Sequence, residues 1–155
     1  MEITIPGTGT IDIKNLLLDY NGTLAVDGKL LPGLEAVLND LSRQFDIHII
    51  TADTFGSAES ELKGVKCRFN RLGPENQSEA KLLYLVNLGK ENTACIGNGR
   101  NDRYMLRESV LGIAVIQGEG VFTGAAVMSD IICPDIFSAL GLFINPQRLI
   151  ATMRE

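Results

Sequence analysis

The chain has 155 residues, of which 45% are hydrophobic and 21% are charged, a composition typical of one globular domain with a buried core. Its net charge of −5 argues against binding of nucleic acid through a basic surface. The sequence has neither an apolar run long enough for a membrane span nor the basic start of a signal peptide, so we expect a cytoplasmic protein that binds no membrane.

The first half of the chain predicts a β-hairpin followed by alternating strands and helices. Strands at residues 2–5 and 10–13 flank a turn at Pro6-Gly7-Thr8-Gly9. Residues 14–18 contain the run Leu16-Leu17-Leu18 and residues 47–50 are apolar except for His48, without the alternation of a half-exposed strand, which is typical of strands buried on both faces. Between them, apolar residues at helical spacing follow Pro32-Gly33. A short helix at 55–62 and a short strand at 65–69 come next.

The second half continues the same alternation. Gly73-Pro74 precedes a predicted helix at 75–88, which Gly89 ends. Strands are predicted at 93–96, 113–116 and 130–132, and helices at 102–109, 121–128, 135–143 and 146–153. This order predicts a single domain of residues 1–155 in the α/β class, Rossmann-like, with a mainly parallel sheet between two layers of helices and the hairpin as an N-terminal addition.

The cysteines and the single histidine are interpreted as structural. Cys67, Cys95 and Cys133 each lie beside apolar residues and form no metal-binding pattern, which indicates small buried thiols in a reducing compartment. His48 lies inside a predicted strand, where a lone histidine is more often structural than catalytic. Mechanisms that pair a histidine with serine or cysteine are therefore disfavoured.

Polar residues follow the predicted buried strands at the points where ligands bind in parallel sheets. Asp19 follows the first of these strands, Thr51 ends the second, and a polar loop from Asn98 to Asp102 follows a later one. Lys81 lies on the helix between them. On its own, Asp19 has a second interpretation, because Asn21-Gly22 between apolar runs is also a strong signal for a plain hairpin over residues 17–26.

Together these motifs resemble the haloacid dehalogenase superfamily of phosphohydrolases. Asp19-Tyr20-Asn21-Gly22-Thr23 is similar to the first motif, Asp-x-Asp-Gly-Thr; Thr51 and Lys81 match the second and third; and Gly97-Asn98-Gly99-Arg100-Asn101-Asp102 resembles the fourth, Gly-Asp-Gly-x-Asn-Asp. The resemblance covers residues 14–132. The segment from Gly99 to Leu106 is most similar to soluble relatives of the P-type ATPase phosphorylation domain.

The resemblance implies a phosphatase with an aspartyl-phosphate intermediate and Mg²⁺ as cofactor, acting on a phosphorylated small molecule or phosphoprotein. Asp19 would be the nucleophile, with Thr51, Ala52, Lys81 and Asn101 binding the phosphoryl group. Asp19, Asn98, Asp102 and the backbone carbonyl of Asn21 would hold the metal. The chemistry agrees, because a carboxylate can attack phosphorus and Mg²⁺ prefers oxygen ligands. From its position alone, Lys81 is better interpreted as a solvent-exposed lysine whose stem covers apolar surface, and only the other motifs favour a function for it.

Two asparagines depart from the family pattern. Asn21 stands where the family has the aspartate that donates a proton to the leaving group, and Asn98 stands where it usually has a metal-binding aspartate. An amide cannot exchange that proton and carries no charge for the metal. The alternative is therefore a non-catalytic protein that binds a phosphorylated ligand or partner.

The intervals between the first three motifs are too short for a cap domain, and the first holds only a flap-like segment at 24–30 and one helix. We therefore expect an open site, covered by a neighbouring subunit in a homo-oligomer or by a large substrate. The basic residues Lys63, Lys66, Arg68 and Arg71 form either a solvated edge or a surface for an anionic partner. Arg100, in the fourth motif, is either a binding residue or solvent-facing.

Overall fold

The computed structural model describes residues 1–52 and 56–155. It begins with an antiparallel hairpin of β1 (Glu2–Ile5) and β2 (Gly9–Asp12), as the sequence predicts. The chain then enters β3 (Asn15–Asp19), whose five residues are all buried. Residues 24–30 form a second small hairpin of β4 (Ala25–Val26) and β5 (Lys29–Leu30).

The central sheet has six strands in the order β10-β9-β8-β3-β6-β7, all parallel. Its remaining strands are β6 (Asp46–Thr51), β7 (Arg68–Arg71), β8 (Thr93–Gly97), β9 (Leu111–Val115) and β10 (Ile131–Cys133). The chain moves from β3 toward one edge through β6 and β7, and β8 then returns to the other side of β3. Strand order therefore reverses beside the carboxyl end of β3, where ligands bind in such sheets.

Helices cover both faces of the sheet. They are α1 (Leu34–Leu41), α2 (Ala58–Glu61), α3 (Gln77–Leu88), α4 (Arg103–Glu108), α5 (Thr123–Met128), α6 (Ile136–Ile144) and α7 (Pro146–Met153). Leu16 and Leu18 point into the core beneath α1, α6 and α7, whereas Leu17 points into the core beneath α3, α4 and α5. Two apolar layers on one strand explain its uninterrupted hydrophobic sequence, and the predicted three-layer α/β class is confirmed.

The interpretation of residues 17–26 as a hairpin is wrong. β3 pairs with β6 and β8, both parallel to it, and Asp19 is its last residue. The hairpin turn comes later, at Asp27-Gly28, where both residues have positive φ angles of 52° and 75°. Asp-Gly suits this turn as well as Asn-Gly does, because a two-residue turn of this type needs left-handed backbone at both central positions.

Other predicted boundaries shift by a few residues. The strand predicted at 65–69 begins only at Arg68, because Val65 is buried in a turn in which its N–H donates to the carbonyl of Leu62. The helix predicted at 55–62 is seen as α2, and its predicted start at Phe55 lies outside the described residues. The helix predicted at 102–109 begins as a 3₁₀ turn, Arg100–Asp102, before α4.

The predicted absence of a cap agrees with the described residues, in which only the β4–β5 hairpin and α1 separate β3 from β6, and only α2 and β7 lie between Thr51 and α3. The side chains of the basic run are exposed on or before the edge strand β7, which agrees with both interpretations of the run. Cys95 and Cys133 are buried thiols and Cys67 is half-buried. In the described part of the chain, no helix is long and apolar enough to cross a membrane.

Candidate active site

Three charged side chains meet in the interior at the carboxyl end of the sheet. Asp19 ends β3, Lys81 projects from α3, and Asp102 ends the 3₁₀ turn that follows β8. Lys81 Nζ donates to Asp19 Oδ1 at 2.5 Å and to Asp102 Oδ1 at 2.6 Å. All three residues are at least nine-tenths buried. The cluster therefore holds one cation between two anions, and the interpretation of Lys81 as a solvent-exposed lysine is wrong.

The outer carboxylate oxygens also have donors. Asp102 Oδ2 accepts hydrogen bonds from the backbone N–H groups of Asn98 and Gly99, at 3.1 and 2.8 Å. Asp19 Oδ2 accepts one from the Thr23 hydroxyl at 3.0 Å. The four oxygens are thus held by a lysine, a hydroxyl and two backbone amides, which fixes the orientation of both carboxylates.

Burial and the nearby charge of Asp102 raise the pKa of Asp19 to about 6, even though Lys81 and Thr23 act in the opposite direction. Burial by itself lowers the pKa of Lys81, but the charges of Asp102 and Asp19 outweigh it and hold that pKa above its usual value. Lys81 therefore stays charged at neutral pH. The cluster has the features of a functional site, namely a carboxylate with a raised pKa at the end of a buried strand.

The first and second motifs meet through side chains. Asn21 Nδ2 donates to Thr51 Oγ1 at 3.4 Å, and Thr51 is buried at the end of β6. Ala52, a predicted phosphate-binding residue, follows Thr51 and is half-buried. Asn21 and Thr51 thus lie at the same end of the sheet as Asp19, as their positions after neighbouring parallel strands predict.

Thr23, which the sequence analysis did not propose as a site residue, links the first and fourth motifs. Its Oγ1 lies 3.0 Å from Asp19 Oδ2 and 3.3 Å from Asn98 Oδ1. Asn98 Nδ2 donates to the carbonyl of Gly120 at 2.9 Å, which turns Oδ1 toward Thr23 and Asp19. The signal for Thr23 was present as the final threonine of the first motif.

Gly22 permits this close approach of the two motifs. Its φ angle is +75°, and a Cβ built on it would lie 2.3 Å from Nδ2 of Asn98. A side chain at this position would displace Asn98 from Thr23, so glycine is required by both the backbone angle and the space.

The side chains of Asn101 and Arg100 contact residues outside the charged cluster. Asn101 Nδ2 donates to Gln77 Oε1 at 2.8 Å, and Asn101 lines an open groove of about 640 Å³ between α3 and the fourth motif. Arg100 is exposed, with its guanidinium 5.8 Å from the centre of the Phe122 ring. The phosphate-binding role of Asn101 stays a prediction.

The chemistry of the donors fits a hard divalent cation such as Mg²⁺. Asp19 and Asp102 have carboxylate oxygens, and Asn98 turns an amide oxygen toward the Thr23 hydroxyl that also contacts Asp19; carboxylate and amide oxygens are the ligand types that Mg²⁺ prefers. Among the described residues, no group of three or more His, Cys, Asp or Glu side chains is positioned to hold a metal. If these side chains held such an ion, two of the three would be anionic.

Two short proteins of Methanocaldococcus jannaschii are related to this chain in sequence. The protein MJ0073 is 45% identical over 80 residues, which cover 49% of this chain and 86% of the relative. MJ0072 is 46% identical over 39 residues, or 25% of this chain and 89% of the relative. Both are described only as uncharacterized, and no protein-family model matches the chain.

Solved structures match most of the chain at low sequence identity. A 3-deoxy-D-manno-octulosonate 8-phosphate phosphatase from Moraxella catarrhalis, in complex with magnesium, phosphate and the octulosonate, has a TM-score of 0.69, 20% identity, and coverage of 92% of this chain and 94% of its own. The cobalt-bound phosphatase of the same name from Haemophilus influenzae has a TM-score of 0.69, 13% identity, and coverage of 88% and 90%.

BT1666 from Bacteroides thetaiotaomicron, a phosphatase of the haloalkanoate (HAD) enzyme superfamily, has a TM-score of 0.65 and 14% identity, over 91% of this chain and 96% of its own. These likenesses agree with the observed α/β fold. The chain therefore belongs to one family with the two M. jannaschii proteins and has the fold of the haloacid dehalogenase superfamily hydrolases.

Proposed function

We propose that the protein is a divalent-metal-dependent phosphatase that hydrolyses a phosphomonoester or an acyl phosphate. The observation that carries the proposal is the buried cluster in which Lys81 Nζ lies within 2.6 Å of both Asp19 and Asp102. The phosphatase structures with the same fold support it, since two of them contain divalent ions.

In the proposed reaction, the Asp19 carboxylate attacks phosphorus while the bond between phosphorus and the leaving-group oxygen breaks. The product is an aspartyl-phosphate, and water then cleaves it to release phosphate and restore Asp19. Thr23 and Lys81 orient the carboxylate for this attack through their hydrogen bonds. The Lys81 ammonium and the Thr51 hydroxyl would stabilise the negative charge on the transferring phosphoryl oxygens.

Asp19, Asp102, Asn98 Oδ1 and the backbone carbonyl of Asn21 would hold the metal ion. When bound, the ion neutralises the charges that keep a carboxylate and a phosphate apart. Asp102 is already oriented for this role by the amides of Asn98 and Gly99. Because Asn98 contributes no charge, we expect a metal dissociation constant toward the weak end for such sites.

Asn21 determines which substrates react fastest under this proposal. Its side chain cannot deliver a proton to the leaving oxygen, a contribution usually worth about 10²–10⁴-fold in rate. An alkoxide leaving group needs that proton, whereas the aryloxide of an aryl phosphate or the carboxylate of an acyl phosphate is a weaker base and leaves without it. The protein should therefore prefer activated phosphates, and Asn21→Asp should raise kcat/KM for an alkyl phosphate by up to about 10²-fold.

The test measures kcat/KM for a matched aryl and alkyl phosphate pair at saturating Mg²⁺, in the native protein, Asn21→Asp and Asp19→Asn. Asp19→Asn should abolish turnover, and Asn21→Asp should help the alkyl phosphate more than the aryl one. Equal gains on both substrates would show that Asn21 does not occupy the position of an acid.

The two asparagines also favour a second candidate function, a binding protein for phosphorylated ligands. Beryllofluoride with Mg²⁺ mimics a phosphoryl group on aspartate, and binding to the folded state alone should raise the Tm. The binding protein would be favoured by two results together: no turnover in any of three proteins, and no Tm shift with beryllofluoride and Mg²⁺. The three proteins are the native protein, Asn21→Asp, and the double variant Asn21→Asp with Asn98→Asp.

A further inference from the structure

A cavity of about 480 Å³ opens beside Asn21 and shares no described lining residue with the groove that Asn101 lines. Its described lining consists of Asn21, Asp27, Gly28, Ser57 and Glu119. Asp27 and Gly28 are the turn of the β4–β5 hairpin, and Glu119 belongs to the loop between β9 and α5. The cavity thus lies between the hairpin and this loop, with the first motif at one wall.

Glu119 is held in place by a hydrogen bond from the β4–β5 hairpin and by the contacts of its own loop. Its Oε1 accepts a hydrogen bond from the backbone N–H of Asp27 at 3.0 Å. In the same loop, Gln117 Nε2 donates to the carbonyl of Thr23 at 2.8 Å, and the carbonyl of Gly120 accepts from Asn98. The loop is therefore bonded to the β4–β5 hairpin, to the first motif through Thr23 and to the fourth motif through Asn98. These bonds keep the Glu119 carboxylate at the cavity.

The position of this cavity suits the leaving group of the proposed reaction. In a phosphoryl transfer, the attacking and leaving oxygens lie roughly in line on opposite sides of phosphorus. Asn21 occupies the position beside the leaving oxygen under the proposed function, and Asn21 lines this cavity. The part of the substrate beyond the leaving oxygen therefore extends toward Asp27 and Glu119.

The charge of the cavity then selects among leaving groups. Two carboxylates line it, and none of its described lining residues is basic. A negative group on the substrate would be repelled by both carboxylates, and a positive group would be attracted by both. The neutral hydroxyl of Ser57 and the amide of Asn21 supply hydrogen bonds but no charge.

We propose that the substrate is a phosphate ester or acyl phosphate whose leaving group carries a positive charge, such as an ammonium group, and that Glu119 and Asp27 determine this specificity. This inference rests on the proposed function, because it assigns the cavity to the leaving group. It separates this protein from the Moraxella phosphatase, whose bound octulosonate is a carboxylate.

The test uses three aryl phosphates of similar shape: phenyl phosphate, its meta-trimethylammonium derivative and its meta-carboxylate derivative. For each, kcat/KM is measured at low ionic strength in the native protein and in Glu119→Gln, which keeps the acceptor for the Asp27 N–H. Each substrate is compared with itself between variants, so the intrinsic reactivity of its leaving group cancels.

We expect Glu119→Gln to lower kcat/KM for the ammonium substrate about 3- to 10-fold and to raise it for the carboxylate substrate by a similar factor, as expected for removal of one nearby charge. Phenyl phosphate should change less than about 2-fold, and added salt should shrink both effects. Asp27→Asn should act in the same direction. The matched control is Glu91→Gln, which removes an exposed carboxylate from the 3₁₀ turn before β8, away from the cavity.

Binding of the same three esters to Asp19→Asn, measured by Tm shift with and without Glu119→Gln, separates the two proposals. If the protein turns over all three substrates and Glu119→Gln changes kcat/KM by the same factor for each, the proposed charge selection is wrong and the proposed phosphatase activity stands. No turnover, but an ammonium preference in binding that Glu119→Gln removes, would overturn the reaction and support the cavity assignment. No turnover and no preference in binding would overturn both.

Discussion

The strand β3 begins and ends with a buried polar residue, and the partners of these two residues differ: they are neutral at the amino end and charged at the carboxyl end. At the amino end, Asn15 Nδ2 donates to Thr93 Oγ1 at 3.3 Å and to the carbonyl of Leu88 at 3.5 Å. Thr93 in turn donates to the carbonyl of Gly89 at 2.7 Å. At the carboxyl end, Asp19 lies in a buried cluster of two anions and one cation.

The difference indicates which end serves function. A neutral network in which each buried group has a hydrogen-bond partner stabilises the fold modestly, and this stabilisation does not depend on pH. In a buried ion cluster, the attraction between the charges must offset the cost of removing each charge from water. Apolar residues of similar volume in the same place often stabilise a fold at least equally. Groups retained at a cost to stability are expected where they act on a ligand. Each of the following predictions tests whether the two ends differ in this way.

The largest expected effect comes from Lys81→Met, which replaces the cation by an apolar side chain of similar length. Two buried carboxylates then face each other, and we expect a loss of about 3–5 kcal/mol in unfolding free energy at neutral pH. Lowering the pH should restore part of the loss, because the pKa of Asp19, already raised to about 6, rises further without the lysine. Denaturant titrations near pH 5 and pH 7.5 measure this.

The double variant Lys81→Met with Asp19→Asn is the control, since it removes one of the facing carboxylates. It should be more stable than Lys81→Met alone at neutral pH. A destabilisation that is the same at both pH values and in the double variant would mean that Lys81 contributes only packing.

The next effect is a gain in stability from Asp19→Asn. Asp19 has a pKa of about 6 in the folded protein against 3.8 as its ordinary value. Its protonated form therefore favours folding below about pH 4, and that contribution is lost as the pH rises through about 6. In metal-free buffer near pH 7.5, Asp19→Asn should be more stable by about 1–3 kcal/mol, and inactive.

The gain should disappear near pH 4, where the native Asp19 is itself neutral. Unfolding free energies of the two proteins across this pH range, with a chelator present, give the comparison. A variant that is less stable at every pH would show that the Asp19 charge stabilises the metal-free fold.

At the opposite end of β3, Asn15→Ala should have a smaller effect of a different kind. It removes the Nδ2 donor but leaves Thr93 bound to the carbonyl of Gly89, so we expect a loss of about 1–2 kcal/mol. The loss should be constant from about pH 5 to pH 8, and kcat/KM should be unchanged. A change in kcat/KM at constant stability would show that the amino end also tunes the site.

The sequence predicted which residues lie together at the end of the sheet, but it did not predict the contacts between them. Asp19, Thr51 and Asp102 follow parallel strands, and this topology alone brings them to one end of the sheet. Lys81 lies on the helix before β8, and from that position its side chain reaches Asp19 and Asp102. Burial of Lys81 could not be predicted from its position, because a lysine in the first turns of a helix is more often exposed.

The charged cavity was also outside the reach of the sequence. Glu119 and Asp27 are separated by 92 residues and meet only because the loop after β9 passes the β4–β5 hairpin. Neither residue belongs to a motif, and the Asp27-Gly28 turn signal carries information about backbone only. Local patterns thus predict strands and turns, whereas loop-to-loop contacts depend on the assembled sheet.

The smallest expected effect tests a residue halfway between the two ends. His48 lies opposite Leu17, the middle residue of β3, and its Nδ1 lies 2.8 Å from the hydroxyl of Tyr84. Burial first, and then the charge of Arg68, lower the pKa of His48 below 6.5, although Asp46 acts in the opposite direction. At neutral pH His48 is therefore uncharged, like Asn15, but it can titrate, like Asp19.

A histidine whose pKa is lowered by folding contributes stability above its ordinary pKa, and that stability is lost as the pH falls below about 6.5, because the unfolded chain binds the proton more readily. The native protein should therefore lose up to about 1 kcal/mol more than His48→Phe between pH 7.5 and pH 5.5. Tyr84→Phe keeps the histidine and should keep the slope. If the unfolding free energy depends on pH in the same way in all three proteins, the pH dependence arises from the Asp19 end of β3 alone. His48, inside β6, would then be a neutral part of the fold, as Asn15 is.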